Sequence, residues 1–219
     1  MKIRSIVVIM ILSLMFIQCR KDTNEKPPPD LKTGLLAYFR LNGNFEDSTT
    51  NVLDATYGGF LSYAKNRHGY EDRAVSFNGG MFSFFTDDWP ATNITVSLWI
   101  KPKDLNNEGY LILSNEWAFG VRQAGSKIGF EVSVPGTELA LADITVEWTH
   151  FAGTYDGQDI KTYINGKLAK TVHHPGVPDV TGFINVGAAG LPEWMGALDD
   201  LRFYNRVLGE EEIRLLSQL

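Results

Sequence analysis

The sequence predicts an all-β fold, a two-sheet antiparallel sandwich or jelly roll closed by one short helix. Three observations carry this: short runs of alternating apolar and polar residues, tight-turn dipeptides between them, and no helical periodicity before the chain's end. Leu35 to Leu41, Ala74 to Phe77 and Phe82 to Phe85 read as strands. Ile94, Val96, Leu98 and Ile100 alternate with Thr95, Ser97 and Trp99 until Pro102 stops the run. Ile128, Phe130, Val132 and Val134 alternate with Gly129, Glu131 and Ser133. Asn78-Gly79, Asp156-Gly157 and Asn165-Gly166 tolerate the positive φ of two-residue hairpin loops. Tyr163 and Ile164 lead into the last of these, which displays Lys167 outward. Strands this short and this closely spaced suit a sandwich. Trp99 and Trp148 fall within strand patterns and are expected core anchors. In Gly209 to Leu219, Glu210 to Glu212 favour a helix N-terminus, and Ile213, Leu216 and Leu219 form one stripe.

Ahead of these strands, Lys2 and Arg4 precede an apolar stretch from Ile6 to Ile17, and the only cysteine, Cys19, follows. Twelve residues span about 18 Å as a helix, short of a hydrocarbon core of about 30 Å. The stretch therefore reads as a secretory signal. A lone cysteine closing such a segment resembles the bacterial lipoprotein signal. The resemblance implies a signal peptide over residues 1–18, cleavage before Cys19 and acylation of its thiol. Acyl chains would hold the protein to a membrane. Residues 19–33 include the run RKDTNEKPPPDLK, too polar to bury and rich in proline, so an extended, disordered tether is expected. Arg20, rather than aspartate, after Cys19 favours the outer membrane of the cell envelope.

Residues 34–219 are long enough for one domain with a sizeable core. The chain carries a net charge of −6, which becomes −8 without Lys2 and Arg4. With no cluster of Lys and Arg, it is a poor nucleic-acid binder. An acylated Cys19 leaves no thiol for disulfides or thiolate metal sites.

Four segments, in order, resemble the laminin-G-like, concanavalin A-like jelly-roll family: GLLAYFRLNGNFEDSTTN from Gly34, ITVSLWIKP from Ile94, WTHFAGTYDGQDIKTYINGKLA from Trp148, and MGALDDLRFYNRVLGEEEI from Met195. The resemblance covers the chain from about residue 34 to its end. It implies that the first and last strands lie side by side. Members often bind calcium there, which would place a structural Ca2+ on Asp47, Asn51 and Asp199. Oxygen ligands of this kind suit a hard cation. By alternation, Asp199 shares a face with Leu201 and Phe203, where a carboxylate without a partner is costly to bury. Asp47 and Asp199 as turn caps without metal is the alternative.

Related glycoside hydrolases carry a Glu-x-Asp-x-x-Glu strand, since nucleophile and acid carboxylates stand about 5.5 Å apart. That pattern is absent, as is a Gly-x-Ser-x-Gly nucleophile elbow. Catalysis is not expected. His150 reads as a paired structural histidine and His173-His174 as a solvent-exposed pair beside Pro175. The expected function is binding of extracellular carbohydrate by a membrane-anchored domain; the alternatives are a protein-binding, adhesive or structural envelope module and, third in order, a glycoside hydrolase. Sugars offer apolar C–H faces, so Trp89 and Trp117 are the candidate contacts, with Asn115 and Glu116 to hydrogen-bond hydroxyls. Tyr57 and Phe60 are lesser candidates.

Overall fold

A computed structural model describes residues 29–87, 92–114, 118–132, 139–178, 182–187 and 193–219. Among these residues the chain runs through thirteen strands, beginning with β1 (Leu35–Phe39), β2 (Thr56–Ala64), β3 (Ala74–Thr86), β4 (Ile94–Pro102), β5 (Tyr110–Ser114), β6 (Phe119–Ala124) and β7 (Lys127–Val132). There follow β8 (Ala140–Asp143), β9 (Thr149–Tyr155), β10 (Asp159–Ile164), β11 (Lys167–His173), β12 (Gly182–Gly187), β13 (Met195–Tyr204) and helix α1 (Glu210–Leu216). Among the described residues, no helix is long and apolar enough to cross a membrane.

One antiparallel path, β11-β10-β9-β4-β13-β3-β12-β5-β6-β7-β8, folds back on itself, with β1 added to β13 and β2 to β3. Its two arms face each other as the layers of a sandwich. Thr162 Oγ1 on β10 donates to the Ala140 carbonyl on β8 at 2.7 Å, and a Cβ on Gly153 of β9 would lie 2.5 Å from Phe130 of β7. The aromatic core between them includes Phe39, Phe77, Phe82, Phe119, Phe130, Phe151 and Phe203. Such a core gains both by removal of apolar area from water and by dense packing. The first strand does lie on the last, Tyr38 opposite Arg202 and Phe39 opposite Leu201.

Asn165 and Gly166 have φ values of 49° and 76° and close the β10–β11 hairpin, with Lys167 exposed. Asn78-Gly79 does not turn the chain. β3 runs through it, so Ala74–Phe77 and Phe82–Phe85 belong to one strand. Trp194 is fully buried, its Nε1 donating to Gln123 Oε1 at 2.8 Å. Trp99 and Trp148 are only partly buried, so neither anchors the core as expected. Trp99 instead packs under Arg67 and against His150 on the sheet's outer face.

That outer face is covered by two devices. Helix α1 lays Ile213 and Leu216 on Ala152, Tyr163, Tyr204 and Leu208, while Leu219, beyond the helix, is exposed. Glu212 accepts from the Gly209 N–H at 2.8 Å and pairs with Arg206 at 2.6 Å. Arg206 also donates to the carbonyls of Thr33 and Asp30, and Tyr204 to that of Leu31. The segment Asp30–Thr33, expected within the tether, is thus docked on the domain. The second cover is the β2–β3 connection, held by Arg67.

Candidate functional site

The loop after β1 shapes the first candidate surface. Asp47 returns to β1 and caps it: Oδ1 accepts from the N–H groups of Tyr38 (2.9 Å) and Thr49 (3.0 Å). Oδ2 accepts from Thr49 Oγ1 (2.6 Å) and the Leu53 N–H (3.0 Å). Asn51 Nδ2 donates to the Leu36 carbonyl at 2.7 Å. This bracing presses Phe45 into the edge of the sandwich, where it packs on Phe82, ring centroids 5.2 Å apart.

Over Phe45 lies β2, an edge strand. Tyr57 stacks on Phe45 at 4.6 Å and Tyr63 meets it at 6.2 Å. The register shift between Gly59 and Leu61 separates the two tyrosines along the strand. Only glycine fits there: Gly59 has φ 79°, and a Cβ on it would lie 2.8 Å from Gly79 O and Gly80 Cα. A hollow of about 200 Å3 results, lined by Phe45, Tyr57, Gly59, Leu61, Ser62 and Tyr63. The tyrosines are 67% and 42% exposed, and neither hydroxyl has a hydrogen-bond partner among the described residues. A second hollow of about 270 Å3 continues over Asn44, Glu46 and Asp54. Burial and the neighbouring Tyr57 and Asp72 push the Tyr63 hydroxyl up from its ordinary pKa, so it stays protonated and able to donate.

The second surface lies on the other side of residues 41–43. A bulge in β13 builds it. Strict alternation would put Leu198 and Leu201 on opposite faces, yet both lie in the core. The register shift between Asp199 and Arg202, with Asp200 at φ 53°, turns both aspartates outward. Arg67 pairs with Asp199 and, at 2.6 Å, with Asp200; Arg202 reaches Asp200 at 3.3 Å. The Tyr38 hydroxyl also donates to Asp200. Burial and the adjacent Asp200 charge raise Asp199 to about 7, against the pull of Arg67. Asp200 is held below the usual carboxylate range by Arg202, the Tyr38 hydroxyl and Arg67, which together outweigh its burial. Next to them His150 is buried, Nε2 3.0 Å from Ser97 Oγ, and burial plus Arg202 and Arg67 push it down to about 3.

Residues 78–214 match the model of the Laminin_G_3 family, concanavalin A-like lectin/glucanases superfamily. The chain belongs to this family. As a member of the concanavalin A-like superfamily it shares its fold with domain 4 of AbnA, a GH43 extracellular arabinanase from Geobacillus stearothermophilus, solved in complex with arabinotriose. That match has 23% identity and TM-score 0.71, covering 84% of this chain and 98% of that one. The receptor binding domain of botulinum neurotoxin C/D mosaic serotype matches at 17% identity and TM-score 0.71. A structure concerned with type C neurotoxin, whose cell entry depends on interaction with two ganglioside molecules, matches at 14% and 0.69. In both cases this concanavalin A-like chain, 84% covered, spans about half of the toxin chain (51%). No curated protein sequence matches it.

Within this lectin/glucanase-type sandwich, Asp47, Asn51 and Asp199 do not share a ligand set. Asp47 spends both oxygens on four protein donors, Asn51 braces β1, and Asp199 faces a guanidinium because the bulge carries it away from Leu201 and Phe203. These residues therefore do not fit a calcium ion, which needs six to eight oxygens. Among the described residues, no group of three or more His, Cys, Asp or Glu could hold a metal. Trp89, Trp117, Asn115, Glu116 and Cys19 lie outside the described residues. Glu131 on β7 hydrogen-bonds Tyr110, and burial raises its pKa. His173 is exposed, as expected, but His174 is buried. Sequence reasoning missed Tyr63, Tyr38 and Arg67. The Tyr-Gly-Gly-x-Leu-x-Tyr spelling of β2 held a signal for the first, since aromatics that flank a glycine pair mark a bulged strand.

Proposed function

We propose that this domain is a non-catalytic carbohydrate-binding module, and that a glycan lies across Tyr57 and Tyr63. The observation that supports this most is the pair of exposed tyrosines with unpartnered hydroxyls around a hollow floored by Phe45. Sugar rings present apolar C–H faces edged with hydroxyls. A phenol ring offers the matching surface, and its O–H offers the donor and acceptor. At about 200 Å3 the hollow is smaller than the 300–1,000 Å3 typical of enclosing ligand sites. It suits contact with one face of a ring in a chain. Asn44, Glu46 and Asp54 stand beside it for further hydroxyls. The arabinotriose complex of a protein of similar fold agrees with a glycan ligand without specifying it.

The reading includes a membrane tether: the segment Lys2 to Cys19 supports an acylated protein of the cell envelope, displayed at the outer membrane. A protein-binding role draws support from Phe60, which is 79% exposed on an edge strand. The two readings separate by affinity electrophoresis of the detergent-solubilised full-length chain in gels containing soluble polysaccharides. We expect retardation by at least one polysaccharide and its loss, by about tenfold or more in affinity (about 1.4 kcal/mol), in the Tyr57→Ala/Tyr63→Ala variant. Normal binding by that variant would overturn the assignment of the site. A wild-type chain retarded by none of the polysaccharides would favour the protein-type surface around Phe60.

A further inference from the structure

We propose that the depression next to the tyrosine hollow binds an anionic substituent of the same glycan, a carboxylate or sulfate ester, through Arg40 and Arg73. This rests on the carbohydrate-binding reading and adds a ligand class to it.

The depression, about 590 Å3, is bounded by Tyr38, Arg40, Asn42, Tyr70 and Arg73 over the Arg67–aspartate floor. Its charges can be paired off one by one. Asp199 and Asp200 are neutralised by Arg67 and Arg202. Glu71 at the rim is held by Lys65 at 2.9 Å. Every side-chain carboxylate lining it thus has a cation. Arg40 and Arg73 are exposed and have no ion-pair partner among the described residues. The depression is therefore locally positive on a chain of net charge −6. Guanidinium forks pair with carboxylate and sulfate oxygens in a bidentate geometry that a point charge does not match.

The walls are built before any ligand arrives. Asn66 Oδ1 accepts from the N–H groups of His68 (3.0 Å) and Tyr70 (3.1 Å), and the Asn66 N–H donates to the Tyr70 carbonyl (3.1 Å). The His68 ring meets the Leu219 carbonyl at 3.1 Å. Tyr70, exposed on this braced loop, offers a second ring face. The Arg40 guanidinium lies 5.3 Å from the Tyr38 ring centroid, which holds it at the rim. The two surfaces are also contiguous. Asn42 lines this depression and Gly43, Asn44 and Phe45 line the next, so an extended glycan meets both. Exposed ion pairs are individually modest and screened by salt. The tyrosines accordingly set affinity, and the arginines set preference among glycans.

The test is affinity electrophoresis of the detergent-solubilised full-length chain against two matched pairs: polygalacturonate with its carboxyl-reduced form, and a sulfated galactan with its desulfated form. The proposal expects the anionic member of at least one pair to bind about tenfold tighter than its neutral partner, the preference fading in ~0.5 M salt. The pair that shows it identifies the substituent. Arg40→Gln/Arg73→Gln should lose the preference while binding neutral polysaccharide like the wild type. A wild-type chain indifferent to charge in both pairs, or a preference that survives in the arginine variant, overturns the proposal. Failure of the tyrosine site shows differently: Tyr57→Ala/Tyr63→Ala would bind normally while the arginine dependence persists.

Discussion

At the residue scale, two side-chain environments make sharp demands. Gly153 faces Phe130 across the sandwich, and a Cβ would sit 2.5 Å from the Phe130 Cβ and Cγ. Backbone on one side and a packed ring on the other leave no cheap relief. We expect Gly153→Ala to cost about 1–3 kcal/mol, as overpacking does, in urea unfolding; an unchanged midpoint would mean the layers yield there. His150 gives a pH prediction. Its imidazole is held down at about 3, from an ordinary 6.5, because burial and the Arg202 and Arg67 charges disfavour the cation. The folded-state value is depressed for a base. The stability of the neutral form is therefore complete above about pH 6.5 and is lost as pH falls toward 3. Relative to His150→Gln, the wild type should lose melting temperature steadily between pH 7 and 4. A difference that stays constant with pH would refute this.

At the scale of elements, the β2–β3 connection is latched to β13 by one side chain. Arg67 pairs with both aspartates that the bulge turns outward, and its guanidinium lies 5.0 Å from the Trp99 ring centroid. Buried pairs add little relative to an apolar alternative, but removing one partner strands the others. Arg67→Met should destabilise the fold by about 3–5 kcal/mol and speed amide exchange in residues 66–70 first. Uniform exchange across the domain would mean that Arg67 does not hold this loop specifically. The latch also explains the position of Asp199: one extra residue in β13 moved a carboxylate from the core face to an arginine.

At the scale of the whole molecule, stability and binding occupy different parts of the sandwich. The core lies between the two arms, α1 and the Arg67 latch cover one outer face, and the candidate surfaces sit around the β1–β2 loop and the β2 edge. Edge strands invite unwanted pairing, and the Gly59–Leu61 register shift interrupts this one. Because Tyr57 and Tyr63 are exposed, their replacement by alanine should leave stability within about 0.5 kcal/mol by denaturant melts, so a loss of glycan binding would report the site itself. A large drop in stability would instead make both tyrosines part of the core. The fold decides none of this alone, since sandwiches of this type carry unrelated functions.

Alternation, turn dipeptides and the four ordered segments were enough to predict the sandwich, the pairing of first and last strands, and the terminal helix. The sandwich and the helix are local properties, written in periods of 2 and 3.6 residues, whereas the pairing of first and last strands was implied by the resemblance that the four segments carry. Two features needed the folded chain. A β-bulge changes which face a residue occupies without a required spelling, so Asp199 read as a core-side ligand and turned out to face Arg67, 132 positions away in sequence. The aromatic hollow likewise joins Phe45 to Tyr57 and Tyr63 through an edge strand whose exposed residues show no apolar alternation. Contacts between distant segments are set by register and packing, and neither is visible until the strands have been placed side by side.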